Sequence, residues 1–292
     1  MHNRTLGPSS RQVSAIGMGV MPLSVTAARP PQDEAVGVIL HAIDCGITFF
    51  DTADSYCLDD REAGHNERLL GKALAQVPRS ARQGLTVATK GGLIRPQGRW
   101  EVNGDPEHLR QACHQSLQNL GVDRIDLYQY HSPDPKVPLA DSLGQLKLLQ
   151  DAGKIEHVGV SNFSVAQLDQ AQRILAVISV QNRFSPRCRN PETDGMLQTT
   201  TKRGLALIPW SPLNGMGGAR QLGKDDGSVV GRIAFDHGVS PQQVTLAWLL
   251  AKGPTVIPIP GASRKATIED SARAAQLKLS DDEQRQLDLA WR

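Results

Sequence analysis

Four side chains able to take part in proton transfer stand at or just after the ends of three successive apolar runs. The four are Asp51, Tyr56, Lys90 and His131. The runs cover residues 47–50, 85–89 and 125–130. If they are neighbouring parallel strands, their carboxyl ends meet at one edge, and the four side chains surround one pocket.

This set of residue types suits the reduction of a carbonyl group, which needs a hydride on carbon and a proton on oxygen. A tyrosine hydroxyl has a pKa near 10, which is high for proton transfer at neutral pH. A neighbouring Lys90 ammonium would stabilise the phenolate of Tyr56 and lower that pKa. Asp51 could hold the ammonium, and His131 could donate a hydrogen bond to the substrate oxygen.

Each of these residues alone has an ordinary structural explanation. An aspartate at a strand end commonly caps a helix, and a lysine after a strand is commonly solvated. Tyr56 could pack half-buried, and His131 before Ser132-Pro133 could cap a loop. Their joint occurrence on successive units favours a catalytic set.

The elements that would position them follow a repeating pattern. Continuous apolar runs, typical of parallel strands buried on both faces, alternate with segments that carry helix signals. The runs are 16–21, 47–50, 85–89, 125–130, 155–161, 177–181, 205–209 and 255–259. Asp105-Pro106-Glu107 reads as a helix start, and three capping boxes are predicted. These pairs are Ser164 with Gln167, Ser240 with Gln243, and Ser280 with Glu283.

Eight such units in 292 residues predict an α/β fold, a closed (β/α)8 TIM barrel in a single domain over 1–292. An open doubly wound sheet is the alternative. It is disfavoured because no G-x-G-x-x-G motif follows an early strand. The polar residues also fall at the carboxyl ends of several strands, where barrels hold their active sites.

Composition excludes several other classes of protein. The formal net charge is only +2 and the basic residues are scattered, so no nucleic-acid partner is expected. No run approaches the roughly 18 apolar residues of a membrane span. The four cysteines show no metal spacing, so we expect reduced thiols, no metal and a cytoplasmic protein without a signal peptide.

Several motifs, in order, resemble those of the aldo-keto reductase family, in its branch related to aryl-alcohol dehydrogenases and pyridoxal reductases. Residues 46–53, Tyr56 and 66–71 resemble the G-I-x-x-F-D-T-A…Y…N-E-x-L-L-G signature. Further likenesses lie at 121–134, 153–163, 208–213 and 257–263. The likeness runs from about residue 3 to the C-terminus. It implies the barrel with an N-terminal β-hairpin and extra C-terminal helices.

The resemblance also implies a function, NADPH-dependent reduction of aldehydes or ketones to alcohols. Tyr56 would be the proton donor, Lys90 and Asp51 would tune it, and His131 would orient the carbonyl. Around the nicotinamide would lie Gly19, Val20, Met21, Asp51, Ser161, Asn162, Gln181 and Trp210. Around the pyrophosphate would lie Ser211, Pro212, Leu213 and Gly215.

At the adenosine end, the resemblance implies contacts from Gly261, Ser263, Arg264 and Thr267, and Arg264 favours NADPH over NADH. Asp270 and Ser271 stand where the family has a Glu-Asn pair beside the adenine. Both are shorter or weaker partners for the adenine amino group.

Two other functions remain open from the sequence. One is a nicotinamide-binding sensory protein on the same fold, like a potassium-channel β-subunit. The other is a barrel isomerase or hydrolase without nicotinamide, because a barrel does not specify chemistry. The substrate would be a small carbonyl compound, bound by loops such as 57–65 and 92–104. Trp100 and Met21 suggest an apolar wall there.

Overall fold

In a computed structural model, strands overlap seven of the eight predicted apolar runs, and several of these strands are shorter than predicted. The structure describes residues 1–224 and 227–291. In that part of the chain the strands are β1 (Asn3–Thr5), β2 (Gln12–Ser14), β3 (Met18–Gly19), β4 (Phe49–Asp51), β5 (Thr86–Gly91), β6 (Leu93–Ile94), β7 (Glu101–Val102), β8 (Ile125–Tyr130), β9 (Ile155–Ser161), β10 (Val177–Gln181) and β11 (Ala206–Leu207).

Seven of these strands form one parallel sheet in the order β11-β10-β9-β8-β5-β4-β3. Residues 255–261 close it, since Val256 bridges Leu207 on one edge and Gly261 bridges Gly19 on the other. This eighth segment is not a continuous ladder strand, because Pro258 and Pro260 have no N–H to donate. The predicted (β/α)8 barrel is confirmed.

Helices separate the barrel strands. They are α1 (Gln32–Asp44), α2 (His65–Ala75), α3 (Arg79–Arg82), α4 (Pro106–Leu120), α5 (Leu139–Asp151), α6 (Val165–Gln172), α7 (Asn190–Thr193), α8 (Met196–Arg203), α9 (Val229–His237), α10 (Pro241–Ala251), α11 (Lys265–Arg273) and α12 (Asp281–Ala290). No run within the described helices is both long and apolar enough to cross a bilayer.

The helix starts agree with the predicted caps in all but one respect. Reciprocal capping boxes begin α6 and α12. At α10, Ser240 accepts from the Gln243 N–H, but the Gln243 side chain donates to Asp270 Oδ1 at 2.6 Å instead of returning to the cap. The predicted box at this helix is therefore wrong, because a carboxylate of α11 takes the amide.

The amino end of the barrel is closed and its carboxyl end is open. The hairpin β1–β2 inserts Leu6 and Val13, both fully buried, into the cluster that fills the barrel interior. That cluster also contains Phe49, Leu127 and Ile257. Because apolar side chains fill the barrel interior toward its amino end, polar side chains can meet only at the carboxyl ends of the strands.

Candidate active site

A buried ammonium links a phenol to a carboxylate at the open end of the barrel. Lys90 Nζ lies 2.9 Å from the Tyr56 hydroxyl and 2.6 Å from Asp51 Oδ2. It also donates to the Thr52 carbonyl at 2.9 Å. Lys90 is completely buried in β5, and Asp51 ends the neighbouring strand β4. The register between the two strands therefore fixes the ion pair.

The turn after β4 brings Tyr56 back over Lys90. The Thr52 N–H donates to Ala88 O at 2.8 Å, and the Asp54 N–H donates to Lys90 O at 3.2 Å. The Thr52 hydroxyl donates to Asn66 Oδ1 at 2.7 Å, which attaches the turn to the first turn of α2. These bonds explain why Tyr56 stands so near a residue 34 positions along the chain.

The pKa of Tyr56 is raised, whereas the sequence led us to expect that Lys90 would lower it. Burial raises the pKa of Tyr56 above its ordinary value, and Lys90 opposes this increase without cancelling it. Burial lowers the pKa of Lys90, but the Asp51 and Tyr56 partners outweigh that effect and raise it overall. Lys90 therefore stays charged, and an ammonium at this distance would limit the cost of forming a buried phenolate at Tyr56.

His131 provides the third polar group of this corner. Its ring centroid lies 5.7 Å from that of Tyr56, and the rings are nearly perpendicular. Burial and the nearby Lys90 ammonium hold the pKa of His131 well below its usual value, so the imidazole is neutral. Its buried Nδ1 has no partner among the described residues. A neutral imidazole can donate one hydrogen bond to a ligand.

Polar side chains of three neighbouring strands continue the site. Gln181 Nε2 donates to Asp51 Oδ1 at 2.7 Å, and Ser161 Oγ donates to the Gln181 carbonyl at 2.9 Å. Asn162 has a positive φ of 60° and donates to the His131 carbonyl at 3.0 Å. Trp210 Nε1 donates to Asn162 Oδ1 at 3.1 Å. The site is thus a connected network with a fixed indole beside it.

A cavity of about 740 Å³ opens in front of these residues. Of the residues predicted to form the site, its lining includes Gly19, Met21, Asp51, Tyr56, His131, Ser161, Asn162, Gln181, Trp210, Ser211, Pro212, Leu213, Gly215, Gly261, Ser263, Arg264 and Thr267. Val20, Lys90, Asp270 and Ser271 do not line it. Lys90 still reaches the cavity wall through Tyr56.

A second cavity, of about 750 Å³, lies at the opposite end of the barrel, beside Arg11 and Asp126. None of the predicted site residues lines it. Because barrel enzymes carry their chemistry at the strand carboxyl ends, the first cavity is the candidate active site. Among the described residues, no three His, Cys, Asp or Glu side chains gather as a metal site.

Comparison with known proteins agrees with this geometry. Residues 15–292 match the model of the aldo/keto reductase family. The chain belongs to this family. It is 34% identical to an uncharacterized oxidoreductase of Schizosaccharomyces pombe over 92% of this chain and 84% of that protein.

Two solved structures share the whole fold. A thermostable aldo-keto reductase in complex with the inhibitor epalrestat superposes with a TM-score of 0.85 at 30% identity, over 99% of this chain and 100% of that one. An aldo/keto reductase from Klebsiella pneumoniae in complex with NADP and acetate gives 0.82 at 26% identity, over 100% of this chain and 96% of that one.

The residues present fit the nicotinamide dinucleotide that aldo-keto reductases use. At Gly261 an added Cβ would meet Pro22 Cγ at 2.7 Å, so a larger residue there would displace Pro22, which also lines the cavity. Gly215 and Gly217 have φ values near 80°, in a loop whose backbone N–H groups can approach phosphate. Arg264 also lines the cavity, and the planar guanidinium of an arginine is well suited to bind phosphate.

Two residues expected beside the adenine have other partners or surroundings. Asp270 accepts from Ser240 Oγ at 2.7 Å and from Gln243 Nε2 at 2.6 Å, so its carboxylate is engaged with α10. Ser271 is buried in α11.

Sequence reasoning did not single out every residue of the cavity wall. The added residues include Pro22, Val25, Leu93, Arg95, Met216 and Arg220. Leu93 and Arg95 fall within loop 92–104, which was predicted to bind the substrate, and Met216 follows the predicted Gly215. The sequence indicated such loops but not which of their side chains line the cavity, because that depends on loop conformations that no spacing rule reveals.

Proposed function

We propose that this aldo-keto reductase uses NADPH to reduce aldehydes or ketones to alcohols, with Tyr56 as the proton donor. The observation that carries the proposal is the buried Lys90 ammonium, bonded to both Tyr56 and Asp51 beside the cavity. A buried ammonium held by a carboxylate stabilises a phenolate, which is the form of Tyr56 left after it has given up its proton.

Bound NADPH would supply the hydride. Tyr56 would give its proton to the carbonyl oxygen, and Lys90 would stabilise the resulting phenolate. Asp51 would keep Lys90 charged and fixed in position. His131, neutral at physiological pH, would donate a hydrogen bond to the same oxygen as negative charge develops there.

The cofactor would lie along the wall formed by the carboxyl ends of β9, β10 and β11. Ser161, Asn162 and Gln181 would hold the carboxamide, and the face of Trp210 would support the ring. Ser263, Arg264 and Thr267 would hold the 2′-phosphate, with the guanidinium as a planar donor fork. The NADP bound in the Klebsiella pneumoniae structure supports this choice of cofactor.

The decisive experiment compares the wild-type protein with Tyr56→Phe. With NADPH and benzaldehyde, we expect kcat of Tyr56→Phe to fall by roughly 10²- to 10⁴-fold, the contribution of general acid catalysis. NADPH should still quench the fluorescence of Trp210 in both proteins. Equal slow turnover in both would instead favour a sensory protein, and absence of NADPH binding would favour a barrel enzyme without nicotinamide.

A second experiment tests the cofactor preference. Arg264→Ala should weaken NADPH binding by roughly 10-fold to 100-fold, the size of a lost charge-assisted contact, and leave NADH binding nearly unchanged. Arg273→Ala is the control, because Arg273 is an exposed arginine at the other end of α11 and does not line the cavity. Equal weakening for both cofactors would remove the assignment of Arg264 to the 2′-phosphate.

A further inference from the structure

A buried arginine lines the cavity on the side away from the proposed cofactor wall. Arg95 follows the short strand β6, in the loop after β5, and β5 stands across the barrel from β11 and residues 255–261. The side chain is only 7% exposed. Its place in the lining, beside Leu93 and Trp100, brings a full positive charge to the substrate end of the cavity.

The Arg95 guanidinium is held by main-chain carbonyls alone. It donates to Cys57 O at 2.9 Å, to Leu58 O at 3.0 Å and to Gly98 O at 2.8 Å. Within the described part of the chain it forms no ion pair. These bonds use four of its five N–H groups, counting the Nε bond to Gly98, and leave one N–H of Nη1 free. The carbonyls fix the charge without neutralising it.

An aromatic platform lies next to this charge. The Arg95 guanidinium lies 3.9 Å from the centre of the Trp100 ring, and that ring meets the Tyr56 ring edge to face at 6.4 Å. Trp100 is 48% exposed although it borders the site, so part of its indole surface is available for contact. Met21 and Leu93 extend the same wall with apolar surface.

The charges around the cavity are unbalanced. Its lining contains three arginines, Arg95, Arg220 and Arg264, against one carboxylate, Asp51. Asp51 is already paired with Lys90. Arg264 belongs to the proposed cofactor wall and Arg220 to the loop that covers it, so their charge suits the cofactor phosphates. Arg95 stands apart from them and has no such partner.

We propose that the preferred substrates are aromatic carbonyl compounds that carry a negatively charged substituent, with the ring against Trp100 and the charge toward Arg95. This inference rests on the proposed reductase activity and adds the charge of the substrate to it. A low-dielectric wall strengthens the attraction between Arg95 and an anionic group. A cationic substituent would meet repulsion at the same place.

The test is a charge series of para-substituted benzaldehydes with the wild-type protein and NADPH. The probes are 4-carboxybenzaldehyde, its neutral methyl ester and the cationic 4-trimethylammonio compound. We expect kcat/KM to be about tenfold higher for the carboxylate than for the ester, as for one hydrogen bond to a charged group, and lowest for the cation. Electron withdrawal by these substituents increases in the opposite order, so intrinsic reactivity cannot produce the expected ranking.

Arg95→Gln should bring the carboxylate-to-ester ratio close to one. Arg99→Gln is the matched control and should leave the ratio unchanged, because Arg99 is exposed, pairs with Glu101 and lies outside the lining. If Arg95→Gln fails to fold, the wild-type protein decides with 4-nitrobenzaldehyde, a neutral probe of the same shape as the carboxylate: a preference based on charge gives the carboxylate the lower KM, and equal KM values would overturn the inference.

The outcomes separate this inference from the proposed function. Reduction of all three probes at similar kcat/KM, or a ratio that Arg95→Gln leaves unchanged, would overturn the inference and leave the reductase activity standing. Failure of every probe to oxidise NADPH would instead remove the proposed function.

Discussion

Two carboxylates three residues apart, the buried Asp51 and the half-buried Asp54, have contrasting partners. Asp51 lines the candidate active site, where it pairs with Lys90 at 2.6 Å and accepts from Gln181 at 2.7 Å. Asp54 does not line it, and its buried Oδ1 has no partner among the described residues. Burial and the neighbouring Glu67 raise the pKa of Asp54 well above its ordinary value.

Glu67 belongs to the same region as Asp54. It is fully buried and accepts from Thr89 Oγ1 at 2.6 Å and from Asn119 Nδ2 at 2.9 Å. Burial raises its pKa despite these donors. The comparison teaches that the partner of a carboxylate matters as well as its depth. A fixed ammonium pairs with Asp51, whereas Asp54 and Glu67 have no such ion pair, and burial leaves both prone to hold a proton.

The largest effect is expected from Lys90→Met. This substitution removes the ammonium, so that Asp51, like Asp54, has no ion-pair partner. Tyr56 loses the cation that stabilises its phenolate, so kcat should fall by roughly 10²- to 10⁴-fold. Asp51 is left buried without its cation, which costs roughly 3–5 kcal/mol of unfolding free energy. Steady-state kinetics and urea unfolding measure the two effects.

Lys72→Met is the control for this substitution, because Lys72 is an exposed lysine on α2. It should change neither quantity appreciably. A Lys90→Met protein with wild-type kcat would show that the ammonium near Tyr56 has no part in proton transfer.

The Asp51–Lys90 pair could be predicted from the sequence, but the surroundings of Asp54 and Glu67 could not. Asp51 and Lys90 each stand at the end of an apolar run, and parallel strands bring such ends together. The pairing of Asp51 with Lys90 is therefore expected once the two apolar runs are recognised as neighbouring parallel strands. The surroundings of Asp54 and Glu67 depend on how α2 and α4 pack on the barrel, since Asn119 of α4 must reach Glu67 of α2. No local pattern encodes that distance.

The part of the cavity wall that we propose contacts the substrate could also be predicted only in part. Arg95 and Trp100 lie in the predicted substrate loop 92–104, which contains the two-residue strands β6 and β7, paired through Leu93 and Val102, that were not predicted. Two residues are too few to show an alternating pattern. The contact between Arg95 and the Cys57 carbonyl joins two loops, so it exists only once both have folded.

A smaller effect than that of Lys90→Met is expected from Asp51→Asn. The ammonium remains, so kcat at neutral pH should fall by roughly 10-fold to 100-fold. Asp51 raises the pKa of both Lys90 and Tyr56, and its removal therefore lowers both. Activity that requires the protonated groups should then be lost at a lower pH than in the wild type. A kcat profile against pH measures this, and an alkaline limb that stays in place would contradict the role given to Asp51.

The smallest effect is expected from Asp54→Asn, and it appears in stability rather than activity. Because the folded-state pKa of Asp54 is raised, the folded protein keeps a proton that the unfolded chain releases above about pH 4. Stability present below that pH is lost as pH rises toward the folded-state pKa. Asparagine has no such proton, so the Tm of Asp54→Asn relative to wild type should increase with pH. Exposed Asp60→Asn, in the same loop, should show no such trend, and parallel Tm curves for Asp54→Asn and wild type would mean that the folded protein does not hold a proton on Asp54.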